Sequence, residues 1–307
     1  MKLRPFKQVD VFTATPYFGN PLAVVLDGSG LDDDTMQRFA RWTNLSETTF
    51  LLPPADPSAD YRVRIFTPGG ELPFAGHPTL GSCHSWLQAG GKPRDKDFIV
   101  QQCQQGLVKI RRETGTQRLA FAAPRLKRSE PDPALLAQVA QALGLQPAQI
   151  LAAQLLDNGP LWLALLLDSP EVVLQLAPNH QALEKLAIKV GVAALYPAQE
   201  APPLIARANR EALAFDPAQK KSIAVLPDLE VRAFAAPIGV NEDPVTGSLN
   251  ASLAQWLIAD GHAPERYLAS QGVCLGRAGQ VHIERDAAGQ VWVGGESVTC
   301  INGQLAL

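Results

Sequence analysis

The sequence presents one ordered set of features twice. VRIFTP (63–68) is followed by GHPTLGSCHSWLQAGG (76–91), and VRAFAAP (231–237) is followed by TGSLNASLAQWLIADG (246–261). Each time a strand with Arg-x-Phe leads through a proline turn and small residues into a helix that ends in Trp-Leu. The repeat predicts two halves built alike around a pseudo-twofold axis. The alternative explanation is that the similarity reflects only the turn residues that separate strands and helices in any α/β chain.

A second pair of similar segments lies upstream in each half, GNPLAVVLD (19–27) and NGPLWLALLLD (158–168). If the halves face each other, the helix starts at 76–78 and 246–248 meet in one cleft. The first N–H groups of a helix lack intrahelical partners and carry the positive end of its dipole. Two such ends directed at one place suit a small anionic or enolisable ligand.

Short apolar segments rich in β-branched residues alternate with turns and with fewer helical segments. Most strands follow one another too closely for helical crossovers, so we expect a mixed or antiparallel sheet. The predicted strands are 8–14, 23–27, 48–53, 61–67, 97–103, 107–112, 119–124, 161–168, 190–197, 222–227, 231–237, 280–285, 290–295 and 298–303. The predicted helices are 32–42, 78–89, 133–143, 147–152, 179–187, 210–213, 247–259 and 264–268. RLKRSEPDPA (125–134), which is polar and contains proline, is the best candidate for a linker.

The composition favours a small-molecule partner. The net charge is −3 and no cluster of Lys and Arg is present, so nucleic acid is not expected as a partner. The longest apolar run, LWLALLL (161–167), is too short to span a bilayer, and MKLRPFKQVDVF lacks the apolar stretch of a signal peptide. The four cysteines are scattered without close pairs. They are typical of reduced thiols, so we expect a cytoplasmic protein without a membrane partner.

Glu47 in NLSETTF (44–50) is the first candidate for chemistry. A carboxylate at the mouth of a strand, partly buried in a cleft, would have its pKa raised by desolvation and could transfer protons near neutral pH. An exposed glutamate in a loop or helix cap is the alternative. His77 lies at a helix start, where the dipole favours the neutral ring. It could bind a substrate carboxylate or carbonyl, or serve only as a cap.

NEDPVTGSLN (241–250) contains the other candidates. Asp243 precedes a proline, which is also ordinary turn chemistry, and Gly247-Ser248 opens a helix. A hydrolase triad of Ser248, His77 and Asp243 is conceivable, although no G-x-S-x-G surrounds the serine. Neither HExxH nor CxxC occurs, so we expect no metal, and we expect no organic cofactor.

Five segments in order resemble the phenazine-biosynthesis F-type (PhzF-like) isomerase family, which is similar in fold to diaminopimelate epimerase. They are VDVFTATPYFGNPLAVV (9–25), NLSETTFL (44–51), RIFTPGGELPFAGHPTLG (64–81), NEDPVTGS (241–248) and QGVCLGRAGQVHIE (271–284). The GHPTLG and EDPVTGS blocks are the most specific of them, and the resemblance runs nearly from end to end.

The resemblance implies an α+β fold of two pseudo-symmetric halves, each a mixed sheet wrapped around a central helix, with the active site between them. We expect residues 1–124 to form the first half, completed by 296–307, and residues 125–295 to form the second. The resemblance also implies that Glu47 is the catalytic residue. The residues around the substrate would be Gly76, His77, Asp243, Gly247 and Ser248. It also implies a homodimer. The two helix-start segments carry no cysteine, which argues against the two-thiol chemistry of the diaminopimelate epimerases.

The expected function is a cofactor-independent isomerase that moves a proton on a small carboxylic acid, with Glu47 as general acid and base. Asp243 would orient His77 or bind a substrate amine or hydroxyl. Leu249 and Asn250 stand where many family members have alanine and a small residue or histidine, which leaves the substrate open. The alternatives are an amino-acid or hydroxy-acid racemase or epimerase, a non-catalytic protein that binds small acids, and a structural homodimer with a vestigial cleft.

Overall fold

The computed structural model describes residues 2–113, 115–197 and 226–307. The first part of the chain contains β1 (Leu3–Val11), β2 (Asn20–Val25), α1 (Asp33–Thr43), β3 (Glu47–Leu52), β4 (Tyr61–Phe66), β5 (Glu71–Leu72), α2 (Gly76–Gln88), β6 (Phe98–Cys103), β7 (Gly106–Arg112) and β8 (Leu119–Ala122). Then come β9 (Lys127–Ser129), α3 (Pro133–Leu143), β10 (Ile150–Asp157), β11 (Leu161–Leu167), α4 (Pro170–Gln175), α5 (His180–Lys185) and β12 (Lys189–Leu195). The last elements are β13 (Leu229–Ala235), β14 (Val240–Asp243), α6 (Gly247–Ala259), β15 (Arg266–Gln271), β16 (Gly279–Arg285), β17 (Val291–Gly295) and β18 (Ser297–Ala306).

The strand pairing repeats in the two halves. In the first half the pairs β1–β2, β3–β4, β4–β5, β6–β7 and β7–β8 are antiparallel, and β2–β3 and β4–β6 are parallel. In the second half the pairs β10–β11, β12–β13, β13–β14, β15–β16 and β16–β17 are antiparallel, and β11–β12 and β13–β15 are parallel. The sequence repeat is therefore a repeat of structure, and the fold is α+β with mixed pairing, as predicted.

Three strand pairs join the halves or close their sheets. β8 pairs with β17, β18 returns to pair with β1, and β9 pairs with β10. After its last antiparallel pair, each half therefore contributes one strand to the first strand of the other half. β9 pairs with β10, and β18 pairs with β1. The division into 1–124 and 125–295, with 296–307 returning to the first half, stays a prediction.

α2 and α6 are the central helices of the two halves. Each has 13 residues and is buried over most of its surface, which is typical of a helix enclosed by sheet rather than lying on one. α2 contacts β1, β2, β3 and β8, whereas α6 contacts β10, β16 and β17. The two helices also contact each other, so the centres of the halves meet directly.

The Arg-x-Phe motif makes the same contacts twice. Arg64 on β4 donates from Nε and Nη2 to the two carboxylate oxygens of Glu71 on β5, and its guanidinium lies 5.0 Å from the ring centre of Phe66. Arg232 on β13 donates from the same two nitrogens to Glu242 on β14 and lies 5.0 Å from the ring two residues further on. The motif thus fastens a short strand to the sheet directly before each central helix.

Two predicted helices are wrong, and the reason is strand pairing. Of 147–152, only Pro147–Gln149 forms a 3-10 turn, and Ile150 begins β10, which pairs with both β9 and β11. The segment 264–268 leads into β15, which pairs with β13 and β16. The predicted helix 210–213 and most of the predicted strand 222–227 lie outside the described residues.

Candidate active site

The N-termini of α2 and α6 meet where the halves join. Gly76 and Gly247 are the first residues of the two helices, and neither helix has a side-chain cap. A Cβ atom on Gly247 would lie 2.9 Å from the Cα of Gly76 and 3.2 Å from the backbone nitrogen of His77. Only glycine permits this approach, and it brings the positive ends of both helix dipoles to one place.

Glu47 and His77 face each other beside this junction. Glu47 is the first residue of β3, and its Oε2 lies 3.4 Å from Nε2 of His77 on α2. The two side chains are 16% and 4% exposed, respectively. Both of these atoms are buried without a hydrogen-bond partner among the described residues. Unpaired buried polar atoms are rare in folded proteins and mark a place where a ligand can bind.

Burial sets the protonation of this pair. It raises the pKa of Glu47 to about 8, and the negative charge of Asp243 adds to the effect, while Ser46 and Lys189 oppose it. Burial lowers the pKa of His77 to about 3, against a hydrogen bond to the backbone of Pro21. The imidazole is therefore neutral at neutral pH, whereas the carboxyl group can both give and accept a proton there.

Asp243 lies at the end of β14 and is held across the junction. Its Oδ1 accepts a hydrogen bond from Asn20 at 2.9 Å, and its Oδ2 accepts one from Thr246 at 2.6 Å. Burial raises the pKa of Asp243 to about 6 although both hydrogen bonds favour the charged form. Asn20 also donates to the carbonyl of Val245, so β2 of the first half fixes the entry to α6.

Ser248 is the second residue of α6. Its hydroxyl accepts a hydrogen bond from Nε1 of Trp162 at 3.3 Å, and its carbonyl accepts one from Asn158 at 2.9 Å. In the described part of the chain, Ser248, His77 and Asp243 make no hydrogen bonds with one another. The contacts of a hydrolase triad are thus missing, and so is the expected contact by which Asp243 would orient His77.

Lys189 is a charged group of the site that the sequence did not reveal. It is the first residue of β12, and its ammonium lies 4.9 Å from the centre of the Trp162 ring. Burial lowers the pKa of Lys189, whereas the charges of Glu47 and Asp243 act to raise it. A single lysine at a strand start matches no motif. Its one signal is that it occupies in the second half the strand position that Glu47 occupies in the first.

Other features of the described residues lie apart from this site. A cavity of about 610 Å³ is lined by β7, β15 and β16 and by residues just outside these strands, and it contains none of the site residues described above. Three of its four arginines, Arg111, Arg118 and Arg266, already pair with Glu284 or Glu113. Within 2–113, 115–197 and 226–307, no three His, Cys, Asp or Glu side chains converge to hold a metal ion. No helix in these ranges is sufficiently long and apolar to cross a membrane.

The chain is similar to known proteins over almost its whole length. A family model described as phenazine biosynthesis-like protein (PhzC-PhzF) matches residues 9–303. The Schizosaccharomyces pombe protein named antisense-enhancing sequence 1 is 34% identical over 97% of this chain and 97% of its own. Trans-2,3-dihydro-3-hydroxyanthranilate isomerase of Pseudomonas aeruginosa is 31% identical, over 92% of this chain and 90% of that enzyme.

A solved structure is similar over the full length. The crystal structure of the Bacillus anthracis phenazine biosynthesis protein of the PhzF family superposes with a TM-score of 0.79 at 21% identity, and 100% of each chain is covered. At this level of identity the similarity concerns the fold, and it agrees with the two-half architecture described above.

Proposed function

The chain belongs to the phenazine biosynthesis-like family and is an isomerase, as its motifs indicated, and we propose that Glu47 is its general acid and base. The observation that carries this proposal is the buried carboxyl group of Glu47, which faces a neutral His77 across 3.4 Å where two helix N-termini meet. A raised pKa near neutrality is the property that proton transfer to and from carbon requires.

In the proposed reaction, Glu47 as carboxylate removes a proton from a carbon made acidic by a neighbouring carbonyl or conjugated system. The negative charge that develops is stabilised by the N–H groups at Gly76-His77 and Gly247-Ser248, because these belong to uncapped helix starts. The same carboxyl group then returns the proton to another carbon, so a double bond shifts and nothing is gained or lost. No cofactor takes part in this scheme.

The other polar groups would hold the substrate. The neutral imidazole of His77 can donate one hydrogen bond to a substrate oxygen, and Asp243 can accept one from an amine or hydroxyl group. The Pseudomonas aeruginosa relative is named for a small cyclic amino acid with a carboxylate, an amine and a hydroxyl group. We propose a small carboxylic acid of this class as the substrate, and use that compound as the first probe.

The test is the exchange of solvent deuterium into trans-2,3-dihydro-3-hydroxyanthranilate, followed by NMR. Glu47→Gln keeps the shape of the side chain and removes its acid–base function, so exchange should fall by about 10²- to 10⁴-fold. Glu230→Gln is the control, because Glu230 is another buried carboxylate but bonds to Tyr196 away from the site. Normal exchange in Glu47→Gln with its fold intact would refute the assignment.

The same experiment separates the alternatives. Deuterium at a single carbon with inversion of configuration would favour a racemase or epimerase. Binding of the acid with neither isomerisation nor exchange in the unaltered protein would favour a non-catalytic small-acid-binding protein.

We further propose that the protein works in the cytoplasm as a homodimer and acts on a small molecule rather than on nucleic acid or a membrane. The net charge of −3 supports the choice of partner. The homodimer follows from the family resemblance, and sedimentation velocity at several protein concentrations tests it.

A further inference from the structure

Lys189 occupies the position in the second half that Glu47 occupies in the first. Glu47 begins β3, which runs parallel to β2 and pairs Glu47 with Leu22. Lys189 begins β12, which runs parallel to β11 and pairs Lys189 with Trp162. Because the halves face each other, equivalent strand starts lie on opposite sides of the junction between the central helices. The site therefore carries the carboxyl group of Glu47 on one side, and the ammonium group of Lys189 with the carboxyl group of Asp243 on the other.

Trp162 fixes where this ammonium group lies. The ring is 3% exposed and is held at its edge by the hydrogen bond from Nε1 to the hydroxyl of Ser248. The ammonium of Lys189 lies 4.9 Å from the ring centre. A lysine stacked on a fixed indole has few alternative positions, and this indole is hydrogen-bonded to the second residue of α6.

The ammonium of Lys189 has no ion pair and no hydrogen-bond acceptor among the residues that the structure describes. Glu47 and Asp243 are near enough for their charges to act on it, yet neither forms an ion pair with it. A partly buried cation without a contacting anion is costly, because desolvation is not offset by a close partner. An anionic group bound against Lys189 would supply that partner.

We infer that Lys189 is a further substrate-binding residue, which holds an anionic group of the substrate, a carboxylate, beside Ser248. The inference rests on the proposed function and deepens it, because it orients the substrate. The carboxylate lies toward the second half, at Lys189 and the start of α6, and the acidic carbon lies toward Glu47 in the first half. An ammonium and a helix N-terminus together discriminate a charged acid from its neutral analogues.

The test compares an acid with its neutral counterpart by isothermal titration calorimetry. The probes are 3-hydroxyanthranilate, which is the aromatic form of the ring acid used above, and its primary amide. Lys189→Met should weaken binding of the acid by about 10-fold or more and leave binding of the amide unchanged. Lys189→Arg, which keeps the charge, should recover most of the affinity for the acid.

Lys109→Met is the matched control, since Lys109 also lies over an aromatic ring, 5.4 Å from the centre of Phe98, but on an exposed part of β7. It should bind both probes as the unaltered protein does. Unchanged binding of the amide shows that the site of Lys189→Met is still folded.

Three results would overturn the inference: equal loss of acid and amide affinity in Lys189→Met, no loss of either, or no preference for the acid in the unaltered protein. Its failure is distinguishable from that of the proposed function. Exchange that survives Glu47→Gln removes the catalytic assignment whatever Lys189 does. Normal binding in Lys189→Met removes only the role of the lysine.

Discussion

The two halves share a framework but differ in the side chains that they bring to their junction. The strand starts present Glu47 in the first half and Lys189 in the second, and the second residues of the central helices are His77 and Ser248. The two halves therefore share the helix N-termini and the sheets that enclose the helices, and they differ in the side chains at the junction. The carboxyl group whose pKa is raised to about 8 begins a strand in the first half and an ammonium group begins the equivalent strand in the second, so the two strand starts are not chemically equivalent.

The Arg-x-Phe motif allows the largest expected difference between the halves to be measured. The Arg232–Glu242 pair is 6% and 7% exposed, whereas the Arg64–Glu71 pair is 17% and 28% exposed. Arg232→Met should lower the free energy of unfolding by about 3–5 kcal/mol, since it leaves a buried carboxylate unpaired. Arg64→Met should cost about 1 kcal/mol or less. Urea unfolding measures both.

A second variant sharpens this result. Replacing both members of the buried pair, with Arg232→Met and Glu242→Leu, should recover part of the loss, because no unpaired charge is left behind. Equal losses in Arg232→Met and Arg64→Met would show that burial of the pair is not what distinguishes the halves.

The glycines at the two helix starts give the next effect. Helix propensity alone predicts that Gly→Ala stabilises a helix. Here the added methyl group of Gly247→Ala meets the backbone of Gly76, and that of Gly76→Ala meets Phe121 at 2.8 Å and Gly247 at 2.9 Å. Each variant should therefore lose about 1–3 kcal/mol in free energy of unfolding.

The control for these variants is Gly70→Ala, whose methyl group would meet nothing within 4 Å. Its free energy of unfolding should stay the same or rise slightly. Because Gly76 and Gly247 contact each other, the two losses should not add in the double variant. Stabilisation by Gly247→Ala, or strict additivity, would contradict the close contact of the two helix ends.

The last difference between the halves is the pH dependence that the two strand starts give to stability. The pKa of Glu47 is raised from 4.5 to about 8, so the native state binds a proton that the unfolded chain has released. Its contribution to stability therefore falls as the pH rises from about 4.5 to 8, by up to about 1.4 kcal/mol per pH unit. Glu47→Gln should reduce this slope in urea unfolding measured between about pH 6.5 and 8, a window that lies above the pKa of about 6 of Asp243 and the ordinary pKa of histidine.

Lys189 should act in the opposite direction and in another window. Burial lowers its pKa, so just below 10.5 the native state binds fewer protons than the unfolded chain and stability rises with pH. Lys189→Met should flatten that rise and keep a falling slope between about pH 6.5 and 8, where Glu47 titrates. Identical profiles of the free energy of unfolding against pH for Glu47→Gln and Lys189→Met would contradict the opposite effects expected of the two groups.

Local signals predicted the central helices well. The range of α6 agrees with the predicted 247–259. α2 begins two residues before the predicted 78–89, because Gly76 and His77 already belong to the first turn ahead of Pro78. α3 also has the predicted bounds, and Asp132 caps it. Small residues, prolines and capping residues affect the backbone within one helical turn. A short stretch of sequence is therefore enough to predict where these helices begin and end.

Contacts between distant residues could not be predicted in this way. The hydrogen bond from Asn20 to Asp243 joins residues 223 positions apart, and no spacing rule predicts it. The segment 264–268 has no strong strand pattern, and its pairing with β13 and β16 decides its conformation. Lys189 could not be predicted either, because it is identified only when the equivalent strands of the two halves are compared.

The return of β18 to β1 affects how the protein can be made. Leu3 pairs with Ala306, and the register continues along both strands to Val11 and Ser297. Because the chain is synthesised from its N-terminus, β1 emerges about 290 residues before its partner, so this edge of the sheet stays unpaired until β18 has been made. We expect nascent chains that stop short of β18 to be preferred targets for chaperones and proteases. The first sheet would then be complete only once β18 has been made.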